Sequence, residues 1–370
     1  MEHAFGRALT LGVEEELLLV EPRTFGLAHV SSEVVPRVRA TAGEVKHDVY
    51  EALVETASPI VATAEEAACA LGGLRGALRV AGATLLGCGI HPDGALGDVI
   101  HVDQDRYRAI ARSMRGLLSR TPTCALHVHV GMPDPETAVA ACNRMRAHLP
   151  LLQALAAHSP YWHGRDSGFA SARAQLFRGY PRAIVPPTFA CWEDFVALTR
   201  WWEAAGELAD YTFLWWDVRP HPHMGTLEVR AMDAQSRLDS VAGLAALVHA
   251  LAAACADGAQ EEAPPPEAIM ESSFRAGRDG VVATVWWRGA LQPVAQVAAD
   301  ALEVARPYAR DLGDEGPLEE VERIVREGGG ADRMRAAHAA GGMPELLRRL
   351  AAEAAAPYST QTTSPIRTQS

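Results

Sequence analysis

The chain has 370 residues, of which 48% are hydrophobic and 22% are charged, as is typical of a globular protein with a substantial buried core. Its formal net charge of −12 and its isoelectric point near 5.6 argue against a nucleic-acid or anionic-membrane surface, and leave only a local basic cleft open. We predict one domain over residues 1–356 and a polar, disordered tail over 357–370.

The six cysteines are scattered along the chain, and none of them belongs to a CxxC pair. Their neighbours are mostly apolar, so we predict buried free thiols in a reducing cytoplasm, and neither a zinc site nor a disulfide framework. We expect no signal peptide before the first strand and no apolar run as long as a membrane span.

The first predicted element is a strand from Thr10 to Val20, with the sequence TLGVEEELLLV. Because side chains alternate along a strand, Glu14 and Glu16 share one face and Glu15 takes the other. Two like charges in so apolar a strand are costly to bury unless a cation neutralises them, and a divalent metal is the simplest such cation. The alternative is an edge strand whose glutamates face water.

The later elements mix strands and helices without a regular βαβ rhythm, which favours an α+β fold with an antiparallel sheet. Residues 41–63 are predicted as strand or irregular structure, and further strands are predicted at 83–90, 123–131 and 225–232. Helices are predicted at 64–82, 105–118, 136–157 with a kink at Pro150, 191–210, 238–256, 293–309, 317–327 and 331–355. Residues 158–187 are predicted as a long functional loop, and 214–224 as a proline-rich turn.

Three of these strands carry charged or imidazole side chains at a spacing of two. In ALHVHVG, His127 and His129 share one face. In TLEVRAM, Glu228 and Arg230 share one face, with apolar residues opposite. Together with the first strand, they predict a sheet whose apolar side packs on helices and whose polar side lines a cleft. Carboxylates with few histidines suit Mg²⁺ or Mn²⁺, which bridge substrate phosphates, so we expect a nucleotide ligand.

Arginines beside these strands suit a transferring phosphoryl group, whose charge is spread over several oxygens. Arg230 lies next to Glu228 in the pattern, and Arg173 in the long loop is a second candidate. Structural alternatives stay open. The two histidines can be core residues whose ring nitrogens are hydrogen-bonded, and Glu228 with Arg230 can form a simple cross-strand ion pair. P-loop, GxGxxG, HExxH and GxSxG motifs are absent, so ATP is expected to bind across the sheet itself.

Six segments in order match one known family, and they are TLGVEEELLLV, VYEALVETASP, CALHVHVGMPD, SPYWHGRDSGFASARAQLF, LWWDVRPHPHMGTLEVRAMDAQ and ESSFRAGRDG. With them the chain resembles the type 2 glutamate–cysteine ligases, which are ATP-dependent carboxylate–amine ligases of the glutamine synthetase-like superfamily. The resemblance implies a curved antiparallel sheet of about six strands that forms an active-site cleft backed by helices. It also implies ATP and Mg²⁺ or Mn²⁺ as cofactors.

The resemblance assigns roles to individual residues. The residues that match metal ligands are Glu14, Glu16, Asp48, Glu55, His127 and Glu228. Arg173 and Arg230 match catalytic arginines that contact the ATP phosphates or the acyl phosphate. The candidates for binding the α-carboxylate of glutamate are Arg165, Arg178 and Arg182. The spacing of seven between Asp48 and Glu55 requires at least one of them to lie on a loop or beyond a bulge.

The implied reaction joins L-glutamate and L-cysteine to γ-glutamylcysteine with ADP and phosphate as products, through an acyl phosphate. This generic activity is often weak, and another carboxylate–amine pair from a biosynthetic pathway remains open. The competing hypotheses are a guanidino-kinase-like phosphotransferase, a metal-dependent hydrolase and a non-catalytic nucleotide- or metal-binding protein. We expect small-molecule substrates, no nucleic-acid or membrane partner, a cytoplasmic location and, from the family, a homodimer.

Overall fold

A computed structural model describes residues 1–259 and 263–359. The strands are β1 (Leu11–Val20), β2 (Glu44–His47), β3 (Leu53–Ala57), β4 (Thr84–Leu86), β5 (Ala125–Gly131), β6 (Tyr161–Trp162), β7 (Arg165–Asp166), β8 (Val218–His221), β9 (Thr226–Asp233), β10 (Thr284–Trp287) and β11 (Ala290–Pro293). The helices are α1 (Ser31–Val34), α2 (Ala64–Val80), α3 (Asp105–Met114), α4 (Pro135–Met145), α5 (Leu149–Ala156), α6 (Ala172–Phe177), α7 (Trp192–Gly206), α8 (Leu238–Ala256), α9 (Pro266–Asp279), α10 (Val294–Leu312), α11 (Leu318–Glu327) and α12 (Gly330–Ala355).

The main sheet is antiparallel and has seven strands, six of them in the order β2-β3-β1-β5-β9-β8. The seventh, β4, pairs with the last three residues of β1, beyond the stretch that pairs with β5. Strand β1 therefore lies in the interior of the sheet, as its apolar sequence predicts. The predicted α+β fold with an antiparallel sheet is confirmed.

The apolar face of the sheet packs on a layer of helices that contains α2, α4, α5 and α8, and α10 packs on α8 from behind. Val13, Val128 and Val229 lie in register across β1, β5 and β9, and all three belong to this buried core. Helix α8 is apolar around its whole circumference because it lies in the middle of that core. Its 19 residues and mean hydropathy of 1.7 contradict our expectation that no apolar run reaches the length of a membrane span, but 94% of that stretch is buried in the fold.

Several predicted elements differ from the structure, each for a local reason. The predicted loop 158–187 contains α6, which is too short to show a helical period and is capped by Ser171. The proline-rich turn contains strand β8, and Pro220 is tolerated there because β8 lies at the edge of the sheet. The predicted helix 136–157 is divided into α4 and α5 by a 3-10 turn, and Pro150 lies in the first turn of α5.

The C-terminal third also contains elements that the sequence analysis did not predict. Helix α9 follows the proline run, and the β10–β11 hairpin lies between α9 and α10. Most of the predicted tail, residues 360–370, lies outside the described residues. The division into one domain and a tail stays a prediction.

Candidate active site

The polar faces of β1, β5 and β9 line a cavity of about 310 Å³. Glu14 lies opposite His127 in the register of β1 and β5, and His129 lies opposite Glu228 in the register of β5 and β9. The cavity wall contains every residue that the sequence proposed as a metal ligand or phosphate-binding arginine: Glu14, Glu16, Asp48, Glu55, His127, Arg173, Glu228 and Arg230. Strand alternation brings the strand residues of this set to one place, whereas Asp48 reaches it from the loop after β2 and Arg173 from α6.

One group of metal-competent side chains, here called the imidazole cluster, consists of Glu14, His129 and Glu228. One donor atom from each residue lies within 4.8 Å of the others. Oε2 of Glu14 is 3.5 Å from both Nε2 of His129 and Nδ1 of His127. The structure thus groups His129 with the two carboxylates, whereas the resemblance had singled out His127, which lies beside Glu14 on the same wall.

The imidazole cluster is surrounded by positive charge. Nε of Arg219 lies 2.5 Å from Glu228, Arg230 contacts the same carboxylate, and Arg219 also donates to two backbone carbonyls. Burial alone would raise the pKa of Glu228, but these two guanidinium groups hold it well below its usual range. Burial together with the charge of Arg230 lowers the pKa of His127 to about 4, so its imidazole is neutral at physiological pH.

The second group, here called the carboxylate cluster, consists of Glu16, Asp48 and Glu55, with donor atoms again within 4.8 Å of one another. Asp48 lies in the loop just after β2, as its spacing from Glu55 requires. Burial and the charge of Asp48 raise the pKa of Glu16 to about 8, and burial with the neighbouring carboxylates raises the pKa of Glu55 well above its usual value. The three carboxylates repel one another here, because the nearby positive charge is too small to neutralise all of them.

Both clusters fit hard divalent cations. Their donors are carboxylate oxygens with a single imidazole, which is the ligand chemistry of Mg²⁺ and Mn²⁺. Among the described residues, buried Nε2 of His129 lies 3.5 Å from Glu14 and 3.8 Å from Glu228 but makes no hydrogen bond of normal geometry with either. A cation in each cluster would remove the repulsion in the carboxylate cluster and satisfy this nitrogen in the imidazole cluster.

A β-bulge in β9 adds a residue that the sequence analysis missed. The register of β5 against β9 shifts by one residue just after Leu126. Because the extra residue lies in β9, Met232 joins the buried rear core with Leu126, and Asp233 turns towards Arg173 at the cavity. Strict alternation from Glu228 places Met232 on the cavity face, so the pattern alone misses Asp233.

Asp233 holds the segment that carries Arg173. Its carboxylate accepts hydrogen bonds from Ser159 at 2.7 Å and from Ser171 at 2.9 Å, and it lies 3.6 Å from the Arg173 guanidinium. Ser171 is also the N-cap of α6, and Oγ of Ser159 accepts from the backbone N–H of Arg173. A Cβ at Gly89 would lie 2.7 Å from Cγ of Asp233, so the close approach depends on glycine there.

The structure places the three proposed glutamate-binding arginines outside the cavity wall. Arg165 is exposed on the small β6–β7 hairpin. Arg178 pairs with Asp217, and Arg182 donates to a backbone carbonyl and stacks on Trp215. Cations that do line the cavity and that the sequence analysis did not select are Lys46, Arg106 and Arg219. Arg219 and Lys46 lie opposite Glu228 and Glu55 in the sheet, but the segment of Arg219 was predicted as a turn and that of Lys46 as strand or irregular structure, so alternation was not applied to them.

The chain is similar to known proteins over most of its length. Residues 10–353 match the family model described as glutamate-cysteine ligase family 2. A glutamate–cysteine ligase from Halobacterium salinarum is 37% identical over 75% of this chain and 81% of the relative, and one from Haloferax volcanii is 33% identical over 89% and 96%. The crystal structure of a glutamate–cysteine ligase from Francisella tularensis in complex with AMP superposes with a TM-score of 0.71 at 14% identity, over 95% of this chain and 90% of that chain.

Proposed function

The chain belongs to the glutamate–cysteine ligase family 2, and from this premise we propose that it joins L-glutamate to L-cysteine with ATP, giving γ-glutamylcysteine, ADP and phosphate. It is an ATP-dependent ligase that works with a divalent metal, and we propose Mg²⁺ as that metal. The observation that carries the proposal is the cavity wall, in which two separate acidic clusters and two arginines surround one space. This arrangement suits the transfer of a phosphoryl group to a carboxylate.

In the first step, an oxygen of the γ-carboxylate of glutamate attacks the γ-phosphorus of ATP, the bond to ADP breaks, and an acyl phosphate forms. Mg²⁺ bound by the two clusters would neutralise charge on the phosphate oxygens. Arg173 and Arg230 orient the transferring group and stabilise the charge that develops on its oxygens. Their guanidinium groups are held by Asp233 and Glu228, so they need little reorganisation when the reaction occurs.

In the second step, the amino nitrogen of cysteine attacks the acyl carbon, and inorganic phosphate leaves. The nitrogen loses one proton as the amide forms, and a carboxylate of the cavity wall accepts it. The product is an amide, which distinguishes this enzyme from a kinase.

A phosphotransferase that stops after phosphoryl transfer is the second candidate, because the same two clusters would serve it. The matched family disfavours this candidate, since its members named above are ligases. We place the enzyme in the cytoplasm as a homodimer. The cytoplasmic location is supported by six free cysteines, four of which are buried.

The experiment that tests the proposal measures ADP release with Mg²⁺ and ATP, first with single amino acids and then with pairs. We expect ADP release and an equal amount of γ-glutamylcysteine only when glutamate and cysteine are both present. Release with a different carboxylate–amine pair would keep the reaction class and replace the substrates. ADP release with phosphate transfer to a guanidino compound, and no amide, would favour the phosphotransferase.

A further inference from the structure

Among the described residues, the cations that line the cavity are Lys46, Arg106, Arg173, Arg219 and Arg230. Four of them already have carboxylate partners within 4 Å. Arg219 and Arg230 share Glu228, Arg173 faces Asp233, and Lys46 lies near Glu44 and Glu55. Within the described ranges, Arg106 differs from the others because no carboxylate lies within ion-pair distance of its guanidinium.

Arg106 is a solvent-exposed residue whose side-chain hydrogen bond and ring contact are both with neutral groups. Its Nη2 donates a hydrogen bond to Oγ1 of Thr212 at 3.2 Å, and its Cζ lies 4.8 Å from the centre of the Phe213 ring. Stacking on a ring fixes the plane of a guanidinium while leaving its other N–H groups free to donate. The charge of Arg106 also reaches Asp48, so it lies at the end of the cavity that holds the carboxylate cluster.

The helix that carries Arg106 also supplies an apolar wall. Tyr107, Ile110 and Met114 of α3 line the cavity, and their spacing of three and four places them on one face of the helix. Tyr107 is fixed by a 2.6 Å hydrogen bond from its hydroxyl to the carbonyl of His47. A molecule at this end therefore meets one fixed guanidinium beside an apolar surface.

We propose that Arg106 binds a carboxylate of the substrate that takes no part in the reaction, namely the α-carboxylate of an amino acid seated beside the carboxylate cluster. This inference rests on the proposed ligase function. The reacting carboxylate must lie at the phosphoryl group, near the metals, so a second carboxylate on the same or the other amino acid needs a cation elsewhere. A planar guanidinium binds a carboxylate through two parallel hydrogen bonds, which an amide cannot accept equally well.

The test compares Arg106→Gln with Arg108→Gln. Arg108 lies on the same helix, pairs with Asp103 and Asp105 and is absent from the cavity wall, so it is the matched control. We expect Arg106→Gln to raise the KM of one amino acid by about 10- to 100-fold with kcat changed by less than about threefold. Arg106→Lys should recover part of that loss, and Arg108→Gln should leave both constants unchanged.

Substrate analogues identify which amino acid supplies the carboxylate. Isoglutamine replaces the α-carboxylate of glutamate by an amide, and cysteamine lacks the carboxylate of cysteine. For the amino acid whose carboxylate Arg106 binds, the wild-type enzyme should prefer the natural substrate over its analogue. Arg106→Gln should lose this preference and should keep the wild-type behaviour with the other substrate and its analogue. Unchanged KM values and unchanged preferences for both pairs in Arg106→Gln would overturn the inference.

Failure of the proposed function has a different signature. In that case the wild type releases no ADP with glutamate and cysteine. Binding is then measured as the rise in melting temperature with Mg²⁺, a non-hydrolysable ATP analogue and each amino acid or its analogue. A carboxylate-dependent rise that Arg106→Gln abolishes and Arg108→Gln keeps would still support the role of Arg106, and equal behaviour of the two variants would refute it.

Discussion

The two faces of strand β1 carry the same kind of side chain in opposite surroundings. On the rear face, Glu15 is fully buried and accepts hydrogen bonds from Nε and Nη2 of Arg75 at 2.9 and 2.6 Å. Arg75 also donates to the backbone carbonyls of Gln235 and Ser236. On the cavity face, the next residue, Glu16, meets Asp48 and Glu55 instead of a cation in contact.

Within one strand, the glutamate on the rear face therefore has a structural role, and the glutamate on the cavity face has a functional one. The protein supplies its own counter-ion on the rear face, so that pair joins α2 to β1 and to the segment that follows β9. On the cavity face, three carboxylates lie together with raised pKa values, which costs stability unless a cation binds. A site that is incomplete without its ligand is what a metal-dependent enzyme requires.

Removing the rear counter-ion should have the largest effect. Arg75→Met leaves the buried Glu15 carboxylate without a partner, so the free energy of unfolding should fall by about 3–5 kcal/mol. Urea denaturation measures this loss, and the exposed Arg79 on the same helix gives the control Arg79→Met. Adding Glu15→Leu to Arg75→Met should restore much of the stability. A loss below about 1 kcal/mol in Arg75→Met would contradict the structural role of the pair.

Neutralising the cavity face should affect activity and spare the fold. Glu16→Gln removes one carboxylate of the carboxylate cluster, so ADP release should fall by at least about 100-fold. The melting temperature of the metal-free variant should not decrease at neutral pH, because glutamine resembles the neutral form that the raised pKa of Glu16, about 8, already favours there. Glu21→Gln, at an exposed residue just after β1, is the control. Turnover at the wild-type rate in Glu16→Gln would show that Glu16 is not a metal ligand.

The guanidinium of Arg230 should be sensitive even to a conservative change. A lysine keeps the charge but has no planar pair of donors, so Arg230→Lys should lower kcat by about 10- to 100-fold. The same substitution at Arg178, which lies outside the cavity wall, should leave kcat unchanged. Steady-state ADP release measures both variants, and near-normal kcat in Arg230→Lys would show that Arg230 only balances the charge of Glu228.

The pH dependence of stability tests the carboxylate cluster without a mutation. The pKa of Glu16 is raised from 4.5 to about 8, so the folded state binds more protons than the unfolded state in that range. The metal-free protein should therefore lose stability as pH rises from 4.5 to about 8. Melting temperatures with a chelator and with Mg²⁺ measure this, and the rise caused by Mg²⁺ should grow with pH. A pH-independent rise would contradict a binding site built on protonated carboxylates.

The amino-acid sequence by itself determined the faces of the central strands. Alternation placed Glu14 and Glu16 together, His127 with His129, and Glu228 with Arg230, and the structure brings all of them to one cavity. The matching segments also indicated the family and the antiparallel α+β fold. Such patterns are readable because burial acts on every second residue of a strand, so the information lies within a few neighbouring positions.

Only the tertiary structure decided which of these residues act together. The pairing of β5 with β9 groups His129 rather than His127 with Glu14 and Glu228, and the bulge in β9 turns Asp233 towards Arg173. The partner of Glu15 comes from a helix 60 residues away along the chain. These contacts depend on register, bulges and helix packing between distant segments, and local periodicity carries no information about such long-range geometry.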